Sequence, residues 1–420
     1  MTTTAFSAAT GHTSDRGRRR ALWVACGAHA LHDGLTDTLY LLLPILQTEF
    51  ALSYAAIGAL RALYAGAMAG LQVPAAKLAQ RVGGPRMLAA GTAVAGAAYL
   101  TLGASSTLAI LVVALILGGF GSSTQHPIAS SLVAAAYHGP RSRGALGTYN
   151  FAGDLGKMAL PAVTAGLIAV LSWRLAAAAV GIVALLGAGA ILLAPWSVVA
   201  AAEKHTDIPA RKSEAQPAIS AGARINPPHT GFALLLFIGV IDSATRMGFL
   251  TFLPFLLRAK GAGLPEIGVA LTLIFAGGAA GKLVCGFLGA RLGVLTTVLI
   301  TEGATAAGIL ALLPLTIGAA LVLLPIIGVA LNGTSSVLYG TVPELVTSER
   351  RESAFGVFYT GTIGAGALAP ALYGLLSDAI GLTPAMLFVA AVVLLTLPLA
   401  WQLTRVLRAL ASSTGSQILR

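Results

Sequence analysis

The sequence predicts an all-α integral membrane protein of twelve transmembrane helices, arranged as two pseudo-symmetric bundles of six. Three observations carry that expectation. Hydrophobic residues make up 56% of the chain and charged residues only 10%, against about 25% charged in a soluble domain. Apolar runs of roughly 20 residues, the length that crosses a bilayer as a helix, recur from end to end with short turns between them. The two halves also repeat one another. At an offset of 210 residues Pro44 meets Pro254, Ile57-Gly58 meets Ile267-Gly268, and Arg81-Val82-Gly83 meets Arg291-Leu292-Gly293. At an offset of 209, Gly147 meets Gly356 and Pro161 meets Pro370. Parallel repeats of six helices place a substrate site near the bilayer midplane, between the halves.

In chain order, residues 1–20 are polar and end in Arg16-Gly-Arg-Arg-Arg20, which reads as a disordered cytoplasmic tail. With the apolar run that follows they imitate a secretory signal, but the run stays membrane-length through Leu46 and lacks a clear small-residue cleavage site. It is therefore the first helix. The first bundle, 21–199, has expected spans at 21–47, 54–80, 86–105, 108–136, 145–170 and 174–198. Residues 200–229 turn polar and form a cytoplasmic linker. The second bundle, 230–408, has expected spans at 230–257, 265–290, 294–315, 317–342, 353–377 and 381–408, leaving 409–420 as a cytoplasmic tail.

The net charge of +11 is a matter of topology and not of nucleic-acid binding. Of the 26 lysines and arginines, 19 fall on one side of the expected membrane, 3 on the other (Arg174, Arg258, Lys260) and 4 inside it (Arg61, Lys157, Arg246, Lys282). The richer side is the cytoplasm, with both termini there. Cys26 and Cys285 lie within apolar runs, which supports neither a disulfide nor a metal site. No phosphate-binding loop, metal-ligand spacing or catalytic motif is present, so no cofactor, no metal and no enzymatic activity are expected. The glycines of helix 11 (Gly361, Gly364, Gly366) follow no strand and suit close helix packing.

Ionisable groups at membrane depth mark function. The stretch Gly118–Pro161 is the richest, with His126-Pro127 in helix 4 and Asp154 and Lys157 in helix 5. Helix 1 carries His29, His32, Asp33 and Asp37, and His29, Asp33 and Asp37 share a face at i, i+4, i+8. Two carboxyls this close repel, which suits proton binding. Equally, one acid can pair with His29 or with a cation on another helix. His126 either exchanges a proton near neutral pH or bonds a carbonyl freed by Pro127. Asp154 with Lys157, and Asp242 with Arg246, are spaced to neutralise one another within their helices, or to separate when a substrate arrives. Arg61, with Tyr64 one turn on, either attracts an anion or seals a gate. Lys282 is a further candidate contact or a snorkelling side chain. Glu302 is a second proton site or a helix-end acid.

Twelve such helices resemble the major facilitator superfamily. Its loop signature between helices 2 and 3 is matched by Leu78, Ala79, Arg81 and Gly83, but the family's aspartate is Gln80 here and Ala290 in the second copy. In the family that aspartate helps latch the cytoplasmic side. Within the superfamily the chain is most similar to the fosmidomycin-resistance type of efflux protein. His32-Asp33 and Leu43-Pro44, then Leu52-Ser53-Tyr54, Ile57-Gly58 and Gln72-Val73-Pro74, and finally Gly121, His126-Pro127, Ser130 and Arg143-Gly144 carry that resemblance. Ile128, Arg61, Asp154 and Lys157 depart from that group's pattern.

These readings together imply a secondary transporter of the bacterial inner membrane, monomeric, exporting a small anionic organic compound in exchange for protons by alternating access. Asp33, Asp37, His126 and Asp154 are the proton-coupling candidates. His32, Arg61, Tyr64, Lys157, Asp242, Arg246 and Lys282 are the substrate-binding candidates, arginine for planar acid groups and lysine for a point contact. Proton-coupled uptake of a carboxylate or phosphonate is the alternative, and a non-transporting sensor or assembly partner a third.

Overall fold

The computed structural model describes residues 3–137, 140–194, 196, 229–347 and 350–413. Among them are twelve membrane-length helices: α1 Thr3–Glu49, α2 Tyr54–Val82, α3 Gly84–Gly103, α4 Leu108–Ala136, α5 Pro140–Val170, α6 Trp173–Leu193, α7 His229–Ala259, α8 Leu264–Gly289, α9 Arg291–Leu312, α10 Ile317–Glu344, α11 Arg351–Ile380 and α12 Leu382–Ala409. Ten of them are long and apolar enough by composition alone to cross a membrane. The other two are α1, diluted by its histidines and aspartates, and the short, glycine-rich and alanine-rich α3.

Two sequence expectations change at the ends. Residues 3–20, expected to be irregular, continue α1, with Arg18 bonded to Asp15 one turn earlier. Past Ala409 the last helix runs on to Ser413. The expected linker, 200–229, lies outside the described residues except for His229, as do 414–420 of the expected tail.

The repeat seen in the sequence is written into the backbone. Gly83 (φ 93°) and Gly293 (φ 78°), equivalent at the 210-residue offset, turn the chain between α2 and α3 and, at the start of α9, kink it where α8 gives way to α9. Ala51 (φ 49°) and Gly261 (φ 92°) are equivalent in the same way, at the turns after α1 and α7. Only glycine adopts such angles without steric cost, so Ala51 is held there by its turn.

By contacts the chain divides into two compact units, which are not the two sequence halves. The first holds the described residues of Met1–Asp37, Ala67–Leu160 and Leu171–Arg224, and the second those of Thr38–Gly66, Pro161–Val170 and Ile225–Arg420. The first is cored by small residues that let helices approach closely, including Ala25, Ala28 and Cys26 of α1 against Leu88, Ala129, Leu132 and Tyr149. With no hydrophobic driving force between helices in lipid, such close van der Waals packing holds the bundle.

In the second unit larger side chains fill the core, among them Leu235, Ile238, Val298, Leu338, Phe358 and Leu403. The α1–α2 hairpin belongs here. A Cβ on Gly58 of α2 would collide with the Pro370 carbonyl of α11, and one on its repeat mate Gly268 of α8 would meet Ala165 of α5, near Pro161. Pro161 and Pro370 are themselves repeat mates, so one kind of helix contact occurs twice. Polar bonds reinforce the hairpin. The Asp378 carboxylate accepts from the backbone N–H groups of Tyr54 and Ala55, each at 2.8 Å, and so caps α2. Arg258 donates to the Pro44 carbonyl at 2.6 Å and to Thr48 at 3.0 Å. The Pro44 carbonyl also accepts from the Thr48 hydroxyl at 3.1 Å.

Candidate functional site

In the first unit, α1, α4 and α5 bring three ionisable side chains onto the Asp33 carboxyl group. Asp33 Oδ2 lies 3.3 Å from Lys157 Nζ and 3.3 Å from His29 Nε2, while Asp33 Oδ1 lies 3.8 Å from His126 Nε2. Glycines on α5 make this approach possible. A Cβ on Gly153 would stand 2.7 Å from His29 Nε2 and 2.8 Å from Asp33 Oδ2, and one on Gly156 would overlap the Ala30 carbonyl. His126 is delivered by a π-helical turn, Gln125–Ala129, interrupting α4 around Pro127. Such turns re-aim side chains and recur at functional sites.

The hydrogen bonds assign proton positions. His29 Nδ1 lies 2.9 Å from the Tyr149 carbonyl, an acceptor only, so Nδ1 carries a proton. The ring stacks on that of Tyr149 at 4.1 Å and meets His126 edge-on at 5.3 Å. Tyr149 in turn accepts from Gln125 Nε2 at 3.1 Å. The buried His29 Nε2 approaches Asp33 at 3.3 Å without hydrogen-bond alignment.

His32, one residue away, faces elsewhere. Thr92 donates its hydroxyl proton to the Leu88 carbonyl at 2.8 Å, so the hydroxyl can only accept from His32 Nε2, also 2.8 Å away. His32 is fully buried there and joins α1 to α3, apart from the Asp33 cluster. Lys157, three residues from Asp154, also forms a pair across helices. Lys157 reaches Asp33 on α1, while buried Asp37 and Asp154 add attraction.

The second unit gathers the other candidates. Arg61 is buried on α2, donates to the Tyr40 hydroxyl at 3.1 Å, and sits over the rings of Tyr40 and Tyr64 at 4.9 and 5.5 Å. The Tyr40 hydroxyl continues to Met247 of α7 at 3.5 Å. Asp242 of α7 is buried within hydrogen-bonding reach of Glu302 on α9, with the charge of Arg246 acting on both. Thr334 of α10 donates to Thr301 at 2.6 Å and lies within hydrogen-bonding reach of Glu302. A hydrogen bond between two carboxyls needs a proton on one of them. Glu302 is thus an interior acid and not a helix-end one. Lys282 is exposed.

His126 meets helix 1 only in three dimensions, which is why sequence spacing showed no His-rich cluster. The donor atoms of His29, Asp33 and His126 all lie within 4.8 Å of one another, close enough for a metal ion. The Lys157 ammonium already supplies the positive charge beside that carboxylate, so a resident divalent ion fits poorly. Tyr149, Gln125 and Thr334 also went unnoticed in the sequence, since neutral polar residues carry no signal of depth or partner.

Comparisons with known proteins agree with this architecture. The family model described as Major Facilitator Superfamily matches residues 25–243 and 235–417. A protein named probable sulfoacetate transporter SauU, from Cupriavidus necator, is 26% identical over 360 residues, covering 80% of this chain and 82% of its own. Two crystal structures of a bacterial homolog to the human lysosomal transporter Spinster, inward-facing and either occupied or unoccupied, superpose with TM-scores of 0.72 and 0.73. Each is 17% identical, covering 93% and 94% of this chain and 97% and 98% of the other. The family model spans nearly the whole chain, and the fold is that of these transporters: the protein is a membrane transporter of the Major Facilitator Superfamily.

Proposed function

We propose that the protein is a proton-coupled secondary transporter of a small organic anion, working by alternating access as a monomer in a bacterial inner membrane with both termini cytoplasmic. The observation that carries this reading is the Asp33 carboxylate held by Lys157, His29 and His126 at membrane depth. Buried charge is retained in a bilayer where it is used, and here one carboxylate and one lysine can trade partners with a proton and an anion.

Asp33 is the proton site, with His126 beside it and Asp37 and Asp154 tuning the charge. Lys157 is the anion contact. Arg246, beside the Asp242–Glu302 pair, and Arg61, between two tyrosines, are further cations of the pathway. The substrate class has two supports. The 26% identical relative is named for sulfoacetate, a sulfonate and carboxylate in one small molecule. The motifs of helices 1, 2 and 4 resemble fosmidomycin-resistance proteins, which points to a phosphonate. Both are small molecules with strongly acidic groups.

Export by proton exchange is the mode the resemblance implies, and uptake is the mode the site geometry favours. The test is transport in proteoliposomes with an internal pH dye and an imposed pH gradient, adding sulfoacetate, fosmidomycin, small carboxylates and neutral drugs singly. Substrate-dependent proton movement with the acids, lost in Asp33→Asn, is the expected result. Transport of neutral or cationic compounds alone would sink the anion reading.

A further inference from the structure

The cluster around Asp33 has a front and a back. The side chains of His126 and Lys157 are 47% and 31% exposed, those of Asp33 and His29 only 11% and 4%. An anion arriving here meets the two basic groups first, and finds Lys157 engaged with Asp33 behind it. It gains Lys157 only by weakening that contact. A carboxylate that has lost its cation and acquired a neighbouring anion is disfavoured as an ion in a low-dielectric site.

From this we infer that the anion and a proton bind together, the anion on Lys157 and His126 and the proton on Asp33, so that the carrier is a symporter. The inference rests on the anion reading above and decides between its two modes. Exchange would require protonation of Asp33 to expel an anion, yet protonation of Asp33 releases Lys157 to hold one. When an anion and a proton enter together, one acid group of the anion replaces the Asp33 charge beside Lys157. For a singly charged acid such as acetate the net charge of the site is then the same empty and loaded, and the second acid group of sulfoacetate adds one negative charge.

Every charged or titratable group facing the pair acts in this balance. On α1 these are His29 and Asp37, with the charge of His32 acting from its own site beside Thr92, on α4 His126, and on α5 Tyr149, Asp154 and Lys157. His29 has its Nδ1 proton fixed by the Tyr149 carbonyl, which leaves Nε2 as the atom that meets Asp33 Oδ2, at 3.3 Å.

The experiment is titration calorimetry of the purified protein with sulfoacetate, in buffers of different ionisation enthalpy, across the pH range. Uptake of about one proton per anion is expected, with affinity falling as pH rises. Lys157→Met should weaken binding roughly 30-fold. Asp33→Asn should bind with little pH dependence and no proton uptake. In vesicles it should still exchange labelled sulfoacetate while losing gradient-driven accumulation. Release of a proton on binding, or no proton change, overturns the inference on the unaltered protein alone, whatever the variants do. An Asp33→Asn protein that still takes up a proton overturns the placing of that proton. Failure of sulfoacetate, acetate and methylphosphonate to bind overturns the anion reading itself, and this inference with it.

Discussion

Lys157 Nζ lies 3.3 Å from Asp33 Oδ2, tying α5 to α1 through an ion pair in which Asp33 is buried and Lys157 half-buried. Each charge is tolerated at this depth because the other is present, and removing one strands its partner. Asp33→Asn and Lys157→Met should each lower stability by about 3 kcal/mol. The double variant should recover most of that loss but stay inactive in substrate accumulation. Thermal unfolding of the four proteins in one detergent, with transport beside it, checks this. Equal stability of all four would show that the pair is not structurally coupled.

Gly153 and Gly156 are required by the same approach of α5 to α1. Gly156→Ala places a methyl group against the Ala30 carbonyl, and helix backbones cannot both stay in place. Overpacking of this kind costs about 1–3 kcal/mol. Gly153→Ala should leave the helices nearer their positions but push His29 and Asp33 apart, lowering transport more than stability. Expression, thermal unfolding and uptake measured together separate the two outcomes.

Asp378 caps the first turn of α2 through two backbone N–H groups. Replacing such a cap by alanine costs about 1 kcal/mol. In Asp378→Ala the amides of Tyr54 and Ala55 should exchange with solvent hydrogen roughly fivefold faster, with α7 and α9 unchanged. Hydrogen exchange read by mass spectrometry reports this. Unchanged protection would mean that the close backbone packing at Gly58 and Gly374 holds α2 without the cap.

Glu302 lies within hydrogen-bonding reach of both Asp242 and Thr334. A glutamine can donate to Asp242 as a protonated glutamate does, so Glu302→Gln should change stability by less than about 0.5 kcal/mol. Glu302→Ala, which leaves Asp242 and Thr334 buried without that partner, should cost about 2–3 kcal/mol. The thermal midpoints of the two variants check this. If glutamine proves as damaging as alanine, the pair is not held by a shared proton.

Much of this could be read in advance. The bilayer requires every backbone polar group to be bonded within its segment, so apolar runs of membrane length must be helices. That constraint is local, and it made the twelve spans, the repeat and the buried ionisable residues legible one by one. Gly83 and Gly293 were visible as repeat mates before their matching positive φ angles were known. Side-chain partners were less legible. The spacing of Asp154 and Lys157 shows a local contact, whereas the contact of Lys157 with Asp33 joins residues 124 positions apart. Nothing in the segment of His32 shows that it meets Thr92.

The sequence alone determined that this chain is a helical membrane carrier built from two copies of one six-helix plan, because hydropathy and repetition are properties of segments. Only the tertiary structure decided which charges meet. Helices are rotated and spaced by close packing at residues such as Gly153 and Gly156. A rotation of one helix by a fraction of a turn exchanges one ion pair for another while leaving the segment's composition unchanged.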